Sequence, residues 1–190
     1  ILMVMACMTG HARKVITAQS PDKQTCVSVT LADKIYYDVV SNNDTLLKQS
    51  IVGMQLRNTT LGDNPVLKKK RVRNIEETVT PLFPLKYSQV ENNYTLLSLD
   101  MQGGYAVDFR IYNDGVAFRM RTSLPGEIEV MQENTVFQLA ENCKLVLQQP
   151  GGFKTGCEEY YSLVNSNAWK REERMSELPI LIMSYQLKSY

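Results

Sequence analysis

Two adjacent glutamates are the strongest candidates for chemistry in this sequence. Glu158 and Glu159 follow a glycine-rich loop and are flanked by Cys157, Tyr160 and Tyr161. Carboxylates among aromatic side chains suit either a hard cation or a sugar hydroxyl group. Calcium takes about 6–8 oxygen ligands, which one glutamate cannot supply. A calcium site at this position would therefore need ligands from elsewhere.

The other carboxylate pairs are Glu76 with Glu77 and Asp108 with Asp114. Glycoside hydrolysis usually proceeds with a pair of carboxylates, so such pairs are candidates for catalysis. Asp114 is explained as a turn residue. Asp108 lies on the polar face of a predicted strand, where a cross-strand partner such as Arg119 is expected. The two glutamates at 158 and 159 have no comparable structural explanation.

Several kinds of chemistry are excluded by composition. The only histidine is His11, which lies in or beside a predicted leader, so the mature chain has no Ser-His-Asp, Cys-His or histidine-based zinc site. A net charge of +1 gives no electrostatic reason to expect nucleic acid or an anionic membrane as a partner. The basic run Lys68–Arg73 is followed by Glu76 and Glu77, which favours a solvated strand face or loop.

The first twelve residues are typical of the back half of a secretory signal peptide. An apolar run, Ile1–Met8, precedes the small-x-small triplet Gly10-His11-Ala12, with cleavage expected after Ala12. No basic segment precedes it, so we expect residues 1–12 to be a signal truncated at its front. The run is too short to span a membrane. Val4–Cys7 fits a lipobox poorly, so we expect export to the periplasm rather than a lipid anchor.

The strongest structural signal is the stretch Tyr105–Arg121, which reads YAVDFRIYNDGVAFRMR. Apolar and polar residues alternate on both sides of the Asp114-Gly115 step, which predicts a β-hairpin. Successive side chains alternate across a sheet, so one face of this hairpin is apolar. Each large apolar residue contributes about 1.5–3 kcal/mol when buried. A second layer must cover that face, which predicts a two-sheet sandwich.

The rest of the chain fits an all-β fold with little helix. Alternating segments such as Thr25–Leu31, Ile35–Val40 and Tyr94–Met101 recur at regular spacing, as in a meander of antiparallel strands. Thr78–Pro84 contains two prolines, which predicts an extended segment outside the ladders. Trp169–Glu177 is dense in charge and favours a short helical turn or a loop.

Three cysteines remain if Cys7 leaves with the signal. They are Cys26, Cys143 and Cys157, and no pair has the spacing of a metal or redox site. A bridge between Cys143 and Cys157 is possible, but small buried thiols are favoured.

Four segments of the chain, in order, resemble the N-terminal β-sandwich domain of glycoside hydrolase family 97. The similarity spans nearly the whole mature chain, and the hairpin sequence N-D-G-V-A-F-R carries most of its weight. The segments are Ser20-Pro21-Asp22; Glu77–Pro81 followed by Asn92–Thr95; Phe109–Arg119; and Phe153–Tyr161 with Leu178-Pro179-Ile180.

This resemblance implies an antiparallel two-sheet super-sandwich of the galactose-mutarotase-like type over residues 13–190, incomplete at its C-terminal end. Members of the family are exported bacterial exo-acting α-glucosidases or α-galactosidases. Their catalytic carboxylates lie in a (β/α)₈ barrel that follows the sandwich and is absent from this chain, so no catalytic residue is expected here. The implied partners are an oligosaccharide substrate and that barrel, with the sandwich forming part of the substrate-pocket wall.

The resemblance also implies a calcium ion at the active site, to which the sandwich lends one glutamate. The corresponding segment falls on Cys157–Tyr161, which makes Glu158 the expected ligand and Glu159 the alternative if the register slips by one. The segment after Glu77-Thr78 lacks the tryptophan and Gly-Glu of the family's glucosidases, which favours an α-galactosidase. A stand-alone carbohydrate-binding sandwich is the alternative function, and a surface sandwich without a ligand is a third.

Overall fold

The computed structural model describes residues 13–84, 86–139, 143–150, 159–169, 176 and 180–184. The chain divides into two compact units, Ile1–Gln138 and Leu139–Tyr190. Both units are built from antiparallel strands, as the alternating sequence predicts. Within the described ranges, no helix is long and apolar enough to cross a membrane.

The first unit is formed by short and medium strands in close succession. They are β1 (Lys14–Gln19), β2 (Thr25–Leu31), β3 (Ile35–Ser41), β4 (Asp44–Val52), β5 (Met54–Leu56), β6 (Thr60–Leu61), β7 (Leu67–Ile75), β8 (Thr78–Val79), β9 (Val90–Glu91), β10 (Tyr94–Met101), β11 (Tyr105–Ile111), β12 (Val116–Thr122) and β13 (Val130–Glu133).

Two four-stranded sheets form the sandwich of this unit. One has the strand order β1-β2-β3-β4 and the other the order β12-β11-β10-β7. Side chains from both sheets share one hydrophobic core, in which Phe109 is fully buried. Its ring lies 5.6 Å from that of Tyr37 in the first sheet and 5.9 Å from that of Phe118 in its own sheet. The second layer predicted from the apolar face of the hairpin is confirmed.

The predicted hairpin is β11 and β12. Its register pairs Asp108 with Arg119 and Ile111 with Val116, and the turn is closed by a 2.8 Å hydrogen bond from the Tyr112 amide to the Gly115 carbonyl. The turn between β1 and β2 approaches the same end of the sandwich. There the Asp22 amide donates to the side-chain oxygen of Asn113 at 3.2 Å.

The basic run lies on an edge strand. Among the described strands, β7 pairs with β10 alone, and the side chains of Lys68–Arg73 are exposed along it. Charged residues on an edge strand discourage pairing with another chain. The interpretation of this run as a solvated strand face is confirmed.

The proline-containing segment differs in part from its prediction. Thr78 pairs with Glu91 and Val79 with Val90 in a two-residue ladder, so the expectation of an unpaired segment is wrong for these two residues. The ladder ends at Val79, before Pro81 and Pro84, because proline lacks the amide hydrogen that a ladder requires.

The described part of the second unit forms a small three-stranded sheet. Its strands are β14 (Cys143–Gln148), β15 (Tyr161–Asn165) and β16 (Leu181–Ser184), in the order β15-β14-β16, with a 3₁₀ turn at Ser166–Ala168. Cys143, Leu145 and Leu147 form its core, against which Trp169 packs. Cys143 and Cys26 carry free thiols, and Cys157 lies outside the described residues.

Candidate functional site

Of the two predicted metal ligands, the structure describes one, which lies two residues before β15. Glu158 is outside the described residues, whereas Glu159 is described and exposed. The Gln148 side chain donates a 2.7 Å hydrogen bond to the Glu159 carbonyl, and Gln148 is also paired with Tyr161. The backbone at Glu159 is therefore hydrogen-bonded to the end of β14.

Glu159 has the kind of oxygen atom that binds calcium, but one carboxylate is too few to form a calcium site. Glu159 presents a solvent-exposed carboxylate, the hard oxygen donor that calcium prefers. Among the residues that the structure describes, no group of three or more His, Cys, Asp or Glu side chains could hold a metal ion. A calcium site that used Glu159 would need further oxygen ligands beyond the described carboxylates.

Asp108 is the buried carboxylate of the first unit, with a side chain that is only 3% exposed. Ser98 donates to its Oδ1 at 2.7 Å, and Arg121 donates to both oxygens at 2.6 and 2.9 Å. Arg119 adds a contact to Oδ2 at 3.2 Å. These four bonds fill the acceptor sites of the two oxygens. Asp108 is therefore a structural carboxylate, as its position opposite Arg119 predicts.

The guanidinium groups determine the protonation of this carboxylate. Burial alone would raise the pKa of Asp108, but hydrogen bonds from Arg121, Ser98 and Arg119 outweigh it and lower the pKa to about 2. Arg121 was not foreseen as a partner, although it follows Arg119 by two residues and so lies on the same strand face.

We expect the free energy of unfolding to fall less on acidification in Asp108→Asn than in the wild type. A carboxyl pKa near 3.9 in the unfolded chain and about 2 in the folded protein stabilises the fold fully above about pH 4. That contribution is lost as the pH falls from about 4 to about 2. After allowing for solvent around the half-exposed guanidinium groups, it amounts to about 1–2 kcal/mol. Urea unfolding at pH 7 and at pH 2.5 (roughly the window set by these pKa values) measures the difference.

Asp114→Asn is the matched control, since it removes the same charge at an exposed turn position. We expect it to change the free energy of unfolding by less than about 0.5 kcal/mol at pH 7. If Asp108→Asn lost as much stability between the two pH values as the wild type does, the assigned role of the Asp108 network would be wrong.

Glu77 also has a structural role, as a hydrogen-bond acceptor. The Asn92 side chain donates to its carboxylate, and the Tyr112 hydroxyl donates to the Asn92 oxygen at 3.0 Å. Nearby, the Arg110 guanidinium lies 4.9 Å from the centre of the Tyr94 ring, within the range of a cation–π contact. Glu77 therefore links the β8–β9 ladder to the second sheet.

An open cleft of about 680 Å³ lies between the β5–β6 turn and the segment after β12. Leu56, Leu124 and Ile128 contribute apolar lining, and Arg57 forms a 2.5 Å ion pair with Glu129 in the wall. The Glu129 carboxylate is neutralised by this partner. Glu127 also lines the cleft, so of its two carboxylates one is engaged by Arg57, and the cleft does not present a pair of unpaired carboxylates of the kind that glycoside hydrolysis uses.

Comparison with known proteins identifies relatives of this chain. Residues 18–189 match the family described as Glycosyl-hydrolase 97 N-terminal. A retaining alpha-galactosidase of Bacteroides thetaiotaomicron is 32% identical over 120 residues, which cover 63% of this chain and 18% of that protein. The chain thus spans less than a fifth of the length of this curated relative.

Solved structures with the same fold include two glycosidases. A beta-arabinopyranosidase superposes with a TM-score of 0.69 and 24% identity, over 77% of this chain and 26% of its own. A variant of a Glycoside Hydrolase Family 97 enzyme from Pseudoalteromonas sp. strain K8 superposes with a TM-score of 0.68 and 19% identity, over 78% of this chain and 24% of its own. At these identities the superpositions establish the fold alone, an all-β sandwich.

Proposed function

This chain belongs to the glycosyl-hydrolase 97 N-terminal family, and from that premise we propose that it is the N-terminal domain of an exported, calcium-dependent, exo-acting α-glycosidase. The match over residues 18–189 is the observation that carries the proposal. Export is supported by the leader-like sequence of residues 1–12.

We propose α-galactosides as the substrate class. A retaining alpha-galactosidase is among the relatives, at 32% identity. The segment after Glu77 lacks the tryptophan and Gly-Glu that the family's glucosidases carry there, which points the same way. Asp108, Glu77 and Glu129 are occupied by partners within the sandwich. As the family resemblance implies, we assign the catalytic carboxylates to a (β/α)₈ barrel of the same polypeptide.

The proposed contribution of this domain is one glutamate ligand and part of the wall of the substrate pocket. Glu158 is the assigned ligand, with Glu159 as the alternative. Calcium, when bound, supplies polarisation of a substrate oxygen and orientation of the sugar. The hydrogen bond between Gln148 and the Glu159 carbonyl supports this role, because a ligand segment held to a strand loses little freedom on binding.

The full-length polypeptide that carries this domain tests the proposal with aryl α-galactoside and aryl α-glucoside substrates. We expect hydrolysis of the α-galactoside to be faster by about tenfold or more. Chelation should abolish it, and calcium should restore it while magnesium does not, since magnesium prefers a smaller octahedral site.

Two outcomes would contradict the proposal in different ways. Sugar binding without hydrolysis would favour the carbohydrate-binding alternative. Hydrolysis that is unaffected by the chelator would keep the glycosidase assignment and remove the calcium.

A further inference from the structure

The outer face of the β12-β11-β10-β7 sheet carries a surplus of positive charge. Leu97 and Phe109 point into the core, so their neighbours along β10 and β11 point outward. Directly paired residues of antiparallel strands share a face, which extends the outer face onto β7 and β12. Its charged side chains are the cations Lys69, Arg71, Arg73, Arg110, Arg119 and Arg121 and the carboxylates Asp100 and Asp108. We call the cations of this set the cationic sheet face.

The two carboxylates hold three of the guanidinium groups in place. Asp108 accepts hydrogen bonds from Arg119 at 3.2 Å and from Arg121 at 2.6 and 2.9 Å. Asp100 accepts one from Arg71 at 2.9 Å and lies 3.8 Å from Arg121. These bonds use at most two nitrogens of any one guanidinium group, which leaves each group with N–H donors for a further acceptor. The three side chains are between 41% and 57% exposed, so a ligand in solution can approach them.

Two further cations flank this network on the edge strand. Lys69 and Arg73 lie on either side of Arg71 along β7, and both are exposed. Within the described ranges, neither of them forms an ion pair with a carboxylate. Outward-facing residues of one strand follow each other at about 7 Å, so these three cations form a row at the edge of the sheet.

The network also keeps like charges close together. Arg119 and Arg121 both donate to Oδ2 of Asp108, so one oxygen holds two guanidinium groups side by side. Their mutual repulsion favours an anion placed over them, as does the surplus of cations on the whole face. The net charge of the chain is only +1, so the surplus is a local feature of this sheet. A guanidinium group also matches the paired oxygens of a carboxylate or a tetrahedral oxyanion, to which it can donate two parallel hydrogen bonds.

We propose that the cationic sheet face binds the acidic groups of a polysaccharide, which are carboxylates or sulfate esters. The choice of a polysaccharide rests on the proposed function, because a glycosidase meets its ligands on saccharide chains. A polymer that lies along the strands can contact the edge row on β7 and the guanidinium groups over β10 and β11 at the same time. Each additional contact of a charged polymer strengthens the binding, because it forms at a high effective concentration.

Three cellulose derivatives test this site in the full-length protein. Carboxymethyl cellulose and cellulose sulfate carry the two kinds of acidic group, and hydroxyethyl cellulose is the uncharged control. Their backbone is β-linked, so it is not a substrate for an α-glycosidase active site. Affinity electrophoresis, in which the polymer is cast into a native gel, measures each dissociation constant, and the charged polymer that binds more tightly identifies the acidic group.

We expect at least one charged cellulose to bind about tenfold or more tightly than the uncharged one at low ionic strength. This difference should disappear as the salt concentration rises from about 0.01 M to about 1 M, because the Debye length falls from about 30 Å to about 3 Å. Equal binding to all three polymers at low ionic strength would overturn the proposal.

Substitutions locate the binding on the sheet. Arg71→Gln combined with Arg119→Gln removes two of the held guanidinium groups and should weaken binding to the charged polymer by about tenfold or more. Lys14→Gln combined with Lys48→Gln is the matched control, since it removes the same charge from exposed positions of the first sheet. The control should bind within about twofold of the wild type. Equal losses in the two double variants would overturn the proposal, because net charge rather than this face would then determine the binding.

Lys69→Gln combined with Arg73→Gln is a second variant, which leaves the hydrogen bonds of Asp100 and Asp108 intact. It should weaken binding by about threefold or more, with unchanged circular dichroism. This variant keeps the test decisive if the loss of two arginines prevents folding. Unchanged binding in the folded variant would contradict the proposed site.

Three outcomes separate this inference from the proposed function. An active α-galactosidase that binds all three celluloses equally would refute the cationic site alone. Charge-dependent binding by a protein without glycosidase activity would support the site and contradict the proposed function. Duplex DNA or anionic phospholipid vesicles that bind more tightly than the charged celluloses, and lose binding in the same variants, would assign the face to another polyanion and overturn the proposal.

Discussion

Glu158→Gln should lower kcat/KM of the full-length enzyme for an aryl α-galactoside by about 100-fold or more. Loss of residues that merely orient metal ligands costs about 10–100-fold in activity or affinity, so loss of a direct ligand should cost at least as much. Glutamine keeps the size of the side chain and one oxygen but removes the charge. Initial rates measured across a calcium titration should show partial recovery at high calcium, because the site is weakened rather than removed.

Glu159→Gln is the matched control one residue away. Its activity should stay within about threefold of the wild type, since exposed side chains without a ligand role change little. A large loss of activity in Glu159→Gln, with none in Glu158→Gln, would assign the calcium ligand to Glu159 instead. If neither variant lost activity, this domain would not supply a calcium ligand.

Phe109→Ala should lower the free energy of unfolding by about 3–5 kcal/mol, the usual cost of removing a fully buried phenylalanine. Phe109 is 0% exposed, and its ring packs against the rings of Tyr37 and Phe118, which also contact each other. Domains of ordinary stability unfold with about 5–15 kcal/mol, so this one change should remove a large share of the total. Equilibrium unfolding in urea, followed by far-ultraviolet circular dichroism, measures it.

Leu82→Ala is the control for this stability measurement. Leu82 is 88% exposed, so its truncation should change the free energy of unfolding by less than about 0.5 kcal/mol. A loss below about 1 kcal/mol for Phe109→Ala would show that the hairpin does not organise the core of the sandwich.

The hairpin was predictable to within one residue at its end, Arg121 against the observed Thr122, because its signals are local. Alternation with a period of two fixes which side chains share a face, and the Asp114-Gly115 step fixes the turn. Together they give the observed pairing of Asp108 with Arg119. The fold of the first unit follows, since the apolar face must be covered.

What could not be predicted depends on residues far apart in the sequence. Ser98 reaches Asp108 only because β10 pairs with β11 in one register, and that contact helps to bury the carboxylate. The two-residue ladder of Thr78 and Val79 depends on residues more than ten positions away. The full ligand set of the proposed calcium site could not be predicted either, since we assign its other ligands to a different part of the polypeptide.

Calcium binding by the full-length protein, measured by calorimetry for the wild type and Glu158→Gln, tests the central claim most directly. The wild type should bind one ion at the active site, and the variant should bind it about tenfold or more weakly, with unchanged circular dichroism. Equal calcium affinities in the two proteins would contradict the claim that this domain completes the calcium site.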